Sequence, residues 1–176
     1  MPSNITRGID HIGITVPDLE AASRFLIDAL GAEVAYSNHT KADPPETGVE
    51  AEARLGFLAG SAILAVRTLR LGNGPALELF EMRASEQRPA HRPNDFGLQH
   101  FSVYVDDMTA ANARFEAAGG ELLSGPNSLT GFEQGEGNAF RYGRTPWGMM
   151  VEFMSSPSTM KYEEAAGPRP WKPAAG

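Results

Sequence analysis

The sequence predicts an α+β fold made of two tandem modules, each a strand, a helix and a meander of strands, and three observations carry that prediction. GIDHIGITVPD at residues 8–18 returns as GLQHFSVYVDD at 97–107. Each copy leads through an aspartate into an amphipathic helical stretch that closes on glycine. GPALELF at 74–80 matches GMMVEFM at 148–154, with glycine and glutamate in register. The first module spans about residues 7–83, a linker 84–96, the second module about 97–155 and a tail 156–176.

Each element follows from local pattern. Ile12, Ile14 and Val16 share one parity and His11, Gly13 and Thr15 the other, the period of a half-buried strand. Asp18 can cap a helix whose apolar stripe is Leu19, Ala22, Phe25, Leu26, Ala29 and Leu30, and Gly31 supplies its stop. A short strand is expected at Glu33–Ser37, then an exposed polar loop, NHTKADPPETG, with two prolines. VEAEARLGFLAG fits helix or strand. AILAVRTLRL at 62–71 and ALELFEM at 76–82 read as strands joined at GNG, with Leu77 and Leu79 on one face and Glu78 and Phe80 on the other. After the proline-rich, charged linker the pattern restarts. Phe101, Val103 and Val105 take the buried parity, leaving His100, Ser102 and Tyr104 opposite. Asp107 can cap a helix with Met108, Ala111, Phe115 and Ala118 inward, ended by Gly119 and Gly120. A Gly/Pro/Asn-rich loop runs from Ser124 to Asn138, and AFRYGR and MMVEFM are strands joined by TPWG, with Val151 and Phe153 alternating with Glu152.

Composition removes several function classes. A net charge of -7 offers no basic field for nucleic acid or an anionic membrane surface. With no cysteine there is no disulfide, thiolate metal site or cysteine nucleophile, so any metal must be held by nitrogen and oxygen. The first residues hold no apolar core of signal-peptide length, and no stretch approaches the roughly eighteen apolar residues of a spanning helix, so a cytoplasmic protein is expected. No GxSxG nucleophile motif is present, and SGPNSLTGFEQGEG lacks the strand-to-helix context of a phosphate loop.

The chemistry lies on the polar parities. His11, Glu78, His100 and Glu152 are two imidazoles and two carboxylates at equivalent positions of the two modules, a donor set whose charge balances a 2+ ion and whose N/O character suits Ni, Co, Mn, Fe or Zn. Phe80, Tyr104 and Met150 share those parities and are expected pocket walls. His39 and His91, in proline-rich loops, are expected to be solvated. Arg141 and Arg144 flank the final hairpin, where surface ion pairing is the expected role. The tail is expected to lie on the surface unless Tyr162 and Trp171 pin it over the site or a partner subunit.

DHIGITVPDLEAASRFLIDALG, ALELFEM, LQHFSVYVDD and TPWGMMVEF together resemble the vicinal oxygen chelate superfamily of glyoxalases, bleomycin resistance proteins and extradiol dioxygenases. That resemblance implies paired βαβββ modules forming a curved mixed sheet around a metal-binding cleft, with His11, Glu78, His100 and Glu152 as the four ligands of one divalent ion. It also implies sheets that pair within a chain or across a homodimer. The additional carboxylate at Glu78 looks more like the lyase, isomerase and epimerase branch than the Fe(II) dioxygenases, which use two histidines and one glutamate. The reaction then implied is proton transfer at a carbon beside a metal-bound oxygen of a small-molecule substrate, with Glu152 as base and Glu78 as the second acid/base group. The alternatives are an Fe(II)-dependent extradiol ring-cleavage dioxygenase and a metal-free binding or resistance protein. Where lactoylglutathione lyases carry a basic residue before VLG, this chain has Asp28 in FLIDALG, which disfavours a glutathione carboxylate and points to another substrate.

Overall fold

The computed structural model describes residues 6–162 and 167–173. Two compact units result: the first comprises the described residues to 27 and Gly31–Gln87, the second Asp28–Leu30 and the described residues from 88 onward. Each unit carries one mixed sheet, so the α+β expectation holds.

The first unit runs β1 (His11–Val16), α1 (Leu19–Leu30), β2 (Glu33–His39), α2 (Val49–Leu55), β3 (Ala62–Arg70) and β4 (Ala76–Arg83). Its sheet order is β1-β4-β3-β2, with β1 parallel to β4 and the other pairs antiparallel. The period-2 pattern does what it predicts: Ile14, Val16, Leu77 and Leu79 are buried, whereas His11 and Thr15 on the other parity are exposed. The α1 stripe of Leu19, Ala22, Phe25 and Leu26 is buried too, and complete burial of a side chain such as Leu26 contributes about 1.5–3 kcal/mol. Asp18 caps the helix by accepting from the Ala21 N–H at 2.7 Å. Gly31 ends it at φ 71°, a left-handed conformation that a side chain would oppose, and its N–H donates to the Ile27 carbonyl. The ambiguous stretch resolves as helix: α2 buries Ala51 and stops at Gly56 with φ 69°.

A buried carboxylate ties this layer together. Glu81, on β4, accepts a hydrogen bond from the Leu19 N–H, one of the donors that a helix start leaves without an internal partner, at 2.7 Å. Its other oxygen pairs with Lys41 Nζ at 2.9 Å, so the loop expected to be merely exposed returns a cation to the helix start. Glu81→Ala is expected to cost about 1.5–3 kcal/mol, the range for losing hydrogen bonds to a charged group. Urea unfolding checks this, and a change below about 0.5 kcal/mol would show that the contact contributes nothing net.

β2 also extends past its expected end. His39 lies within it, opposite Val66 and after a register shift, and its Nε2 is buried without a hydrogen-bond partner among the described residues. Solvation of His39 in a loop is therefore corrected: it is a strand residue, half-buried, with Nε2 shielded from solvent.

The second unit runs β5 (His100–Tyr104), α3 (Met108–Ala117), β6 (Glu121–Leu122), β7 (Asn127–Ser128), β8 (Ala139–Arg144) and β9 (Met150–Ser155). The order is β5-β9-β8-β6, with β7 also on β8 and β5 parallel to β9. The loop expected from Ser124 to Asn138 thus contains a short strand and a single 3-10 turn, Gly131–Glu133. Phe115 on α3 and Phe153 on β9 are both fully buried and meet edge to face at 5.0 Å. Asn112 is buried on α3 as well, four residues after Met108 and three before Phe115 and so a polar residue on the same face as they are. Among the described residues no helix is long and apolar enough to cross a membrane.

Candidate functional site

Register places the two histidine and glutamate pairs identically. In β1 and β4, Gly13 stands opposite Glu78, which puts Glu78 two positions along from His11 on the same face. In β5 and β9, Ser102 stands opposite Glu152, which puts Glu152 two positions along from His100. The contacts agree: His11 Nε2 lies 3.3 Å from Glu78 Oε2, and His100 Nε2 lies 3.3 Å from Glu152 Oε2. Each unit therefore presents one imidazole and one carboxylate from adjacent parallel strands.

The outer nitrogens are also matched. His11 Nδ1 is 2.7 Å from Asp10 Oδ1, and His100 Nδ1 is 2.9 Å from Gln99 Oε1. Every nitrogen of both rings thus faces an oxygen, but a neutral imidazole has a single N–H to donate. When that proton lies on Nδ1, the lone pair of Nε2 faces a carboxylate, and the contact is favourable only if a cation is shared there. A second proton or a metal ion meets the requirement, and an oxygen partner on the far nitrogen is the arrangement that aims a metal-binding histidine. The hydrogen bond to Asp10 is the foremost cause holding the His11 pKa above its ordinary value, with Glu78 adding in the same direction. Imidazole nitrogen and carboxylate oxygen are the donor types that divalent ions accept. Among the described residues, no group of three or more His, Asp or Glu side chains is positioned to hold a metal.

The pairs differ in support. The Glu152 side chain is 11% exposed against 22% for Glu78, so its charge is the more costly to leave unpartnered. Opposite Glu152 stands Tyr142 of β8, whose ring meets the His100 ring edge on at 5.1 Å. Burial pushes the Tyr142 phenol up, and the charge of Glu152 and its hydrogen bond act in the same sense. The corresponding position opposite Glu78 is Thr68, a buried residue. Tyr142 escaped the reading of the sequence, although the alternation in AFRYGR puts it on the glutamate face once the β8–β9 register is known.

The other expected residues are placed as follows. Phe80 lies beside Gly13, where an added Cβ would stand 3.8 Å from its ring. Met150 is level with His100 and buried, and Tyr104 is half-buried at the end of the same parity. Arg144 pairs with Glu121 at 3.1 Å, as expected, while Arg141 donates to the Leu123 carbonyl at 2.9 Å. His91, in the linker, is exposed and its Nε2 contacts the Leu98 carbonyl just beyond it. In the tail, Met160 is buried and Tyr162 donates to Glu133 at 3.5 Å, whereas Trp171 is 58% exposed. Trp171 is therefore not a pin for the tail within this unit. Residues 163–166 and 174–176 of that tail lie outside the described residues.

Comparison with known proteins now decides the family. The model of the glyoxalase/bleomycin resistance protein/dioxygenase superfamily matches residues 10–140. The chain belongs to that superfamily. Within this glyoxalase superfamily, a 2-epi-5-epi-valiolone epimerase from an Actinomyces species is 31% identical over 169 residues, which cover 94% of this chain and 88% of the relative. An ethylmalonyl-CoA/methylmalonyl-CoA epimerase from Cereibacter sphaeroides is 31% identical over 115 residues, 65% of this chain and 73% of the relative. A glyoxalase family protein from Bacillus cereus shares the fold, with a TM-score of 0.68 at 18% identity, covering 90% of this chain and 99% of that one.

Proposed function

We propose that this glyoxalase superfamily member is a metal-dependent epimerase that moves a proton at a carbon next to a carbonyl of a small-molecule substrate. The observation that carries this is the repeated pair: imidazole and carboxylate at the same register and the same 3.3 Å separation in both units. The two relatives named as epimerases support the reaction class.

His11, Glu78, His100 and Glu152 would hold one divalent ion, drawn from Ni, Co, Mn, Fe or Zn, with the set completed within one chain or between the chains of a homodimer. Such an ion, when bound, supplies positive charge that stabilises the electron density left on the carbonyl oxygen as the neighbouring C–H bond breaks. The protein's own groups handle the proton. Glu152 takes it from the substrate carbon, the C–H electron pair passing into the C–C–O system. Glu78, as the conjugate acid, returns a proton to the opposite face, which inverts the centre. Tyr142 holds Glu152 in place through its hydroxyl, and Asp10 and Gln99 hold the two imidazoles. Half-buried Phe80 and Tyr104 and buried Met150 are the proposed apolar walls that limit water around the reacting carbon.

Reaction in deuterium oxide tests the proposal. Metal-supplied protein incubated with 2-epi-5-epi-valiolone or methylmalonyl-CoA is expected to place solvent deuterium at the inverted carbon, and chelation is expected to abolish it. A substrate that is epimerised with no deuterium uptake would remove Glu152 and Glu78 from the proton path. Size-exclusion chromatography is expected to show a homodimer, and a monomer would confine the ligand set to one chain.

A further inference from the structure

The duplicated first strands differ at the position beside each carboxylate. Gly13 stands opposite Glu78, whereas the equivalent residue of the second unit, Ser102, stands opposite Glu152. Nothing in the fold demands glycine at 13. Its φ is not positive, and an added Cβ would stand an ordinary 3.8 Å from the Phe80 ring. One copy thus works without a side chain here, so the hydroxyl that the other copy carries answers no requirement of the strand.

That hydroxyl is also free. The Ser102 side chain is exposed, and among the described residues no hydrogen bond or ion pair engages it. It shares the parity of His100 and Tyr104, two positions from each. Register then sets Ser102, Glu152 and Tyr142 side by side across β5, β9 and β8, a row about 10 Å wide at ordinary strand spacing. Both cross-strand neighbours of the carboxylate are therefore hydroxyl side chains. A serine hydroxyl carries no charge and both donates and accepts, so it matches a ligand hydroxyl in either sense. An anionic group calls instead for an available cation. Arg144, which register puts on this face opposite Met150, is already paired with Glu121 at 3.1 Å.

We propose that Ser102 is a specificity-determining residue for a neutral, polyhydroxylated ketone, its hydroxyl exchanging a hydrogen bond with a substrate hydroxyl near the carbon that Glu152 serves. This rests on the epimerase proposed above and narrows its substrate class. Ser102 binds and orients, and takes no part in the proton transfer.

The test uses the metal-supplied full chain, with 2-epi-5-epi-valiolone as the hydroxylated ketone and methylmalonyl-CoA as an anionic thioester. Isothermal titration is expected to show the ketone binding more tightly than the thioester. Ser102→Ala is expected to weaken ketone binding by about 3–12-fold, the loss of one neutral hydrogen bond, and to leave thioester binding unchanged. Ser102→Thr, which keeps a hydroxyl, is expected to hold ketone affinity within about twofold of wild type. A ketone that does not bind, a thioester that binds more tightly, equal ketone affinity in Ser102→Ala, or an equal loss for both ligands overturns the proposal. Deuterium uptake separates the two ideas. A ketone bound through Ser102 with no exchange at any carbon would sink the epimerase and leave the hydroxyl contact standing, whereas exchange with a ketone affinity indifferent to Ser102 would do the reverse.

Discussion

Glu152→Gln is expected to lower affinity for Ni(II) or Mn(II) by more than about 100-fold and to slow deuterium exchange into substrate by about 10²–10⁴-fold. The first figure exceeds the 10–100-fold typical of losing a residue that merely supports a ligand, because a carboxylate oxygen is itself removed from the donor set. The second is the usual contribution of a positioned acid or base. Glutamine keeps the volume at a side chain only 11% exposed, so the fold is expected to persist by circular dichroism. Isothermal titration reads the affinity. Gln99→Ala supplies the graded comparison: it removes only the oxygen that orients His100 and is expected to cost about 10–100-fold in affinity. Wild-type metal affinity in Glu152→Gln would remove that residue from the donor set. Loss of exchange with metal affinity kept would make it a base and not a ligand.

Phe115→Ala is expected to destabilise the protein by about 3–5 kcal/mol and lower the Tm by roughly 6–20 °C. The side chain is fully buried, meets Phe153 edge to face at 5.0 Å, and fills space kept open by two glycines. A Cβ at Gly143 would stand 2.5 Å from its ring, and one at Gly120 would overlap it as well. These closures leave little room for the surroundings to collapse onto the vacated volume, which places the cost high in its range. Gly143→Ala alone is expected to cost about 1–3 kcal/mol through overpacking. Combined with Phe115→Ala its methyl falls into the cavity, so the double variant is expected to be more stable than the sum of the two losses. Strict additivity in chemical denaturation would show that Gly143 and Phe115 do not share that space. Because Phe153 sits next to Glu152 on β9, the same variant is expected to loosen the strand that presents the carboxylate.

Much of the fold was legible because its signals are local. Alternation of apolar and polar residues along His11–Val16 set which face that strand buries, since side chains one position apart point to opposite faces, whereas Met150–Ser155 is buried on both faces. The capping roles of Asp18 and Asp107 were readable for the same reason, since each bond reaches only three residues ahead. Limits appear where a contact is non-local. His39 looked like loop because two prolines follow soon after it, yet pairing with β3 held it in the sheet. Glu81 sits 62 positions from Leu19, and no periodicity connects them.

For the site, the sequence by itself determined the residue types and their parity: duplication repeats the histidine and the glutamate, each on the parity opposite its strand's Ile14, Leu77, Phe101 or Val151. Only the tertiary structure decided that each glutamate stands two positions along from its histidine, that both pairs close to 3.3 Å, and that Tyr142 joins the second pair. The physical reason is register. Parity is a property of one strand, whereas the choice of which residues stand opposite each other belongs to the hydrogen bonding between strands and to the packing that selects it.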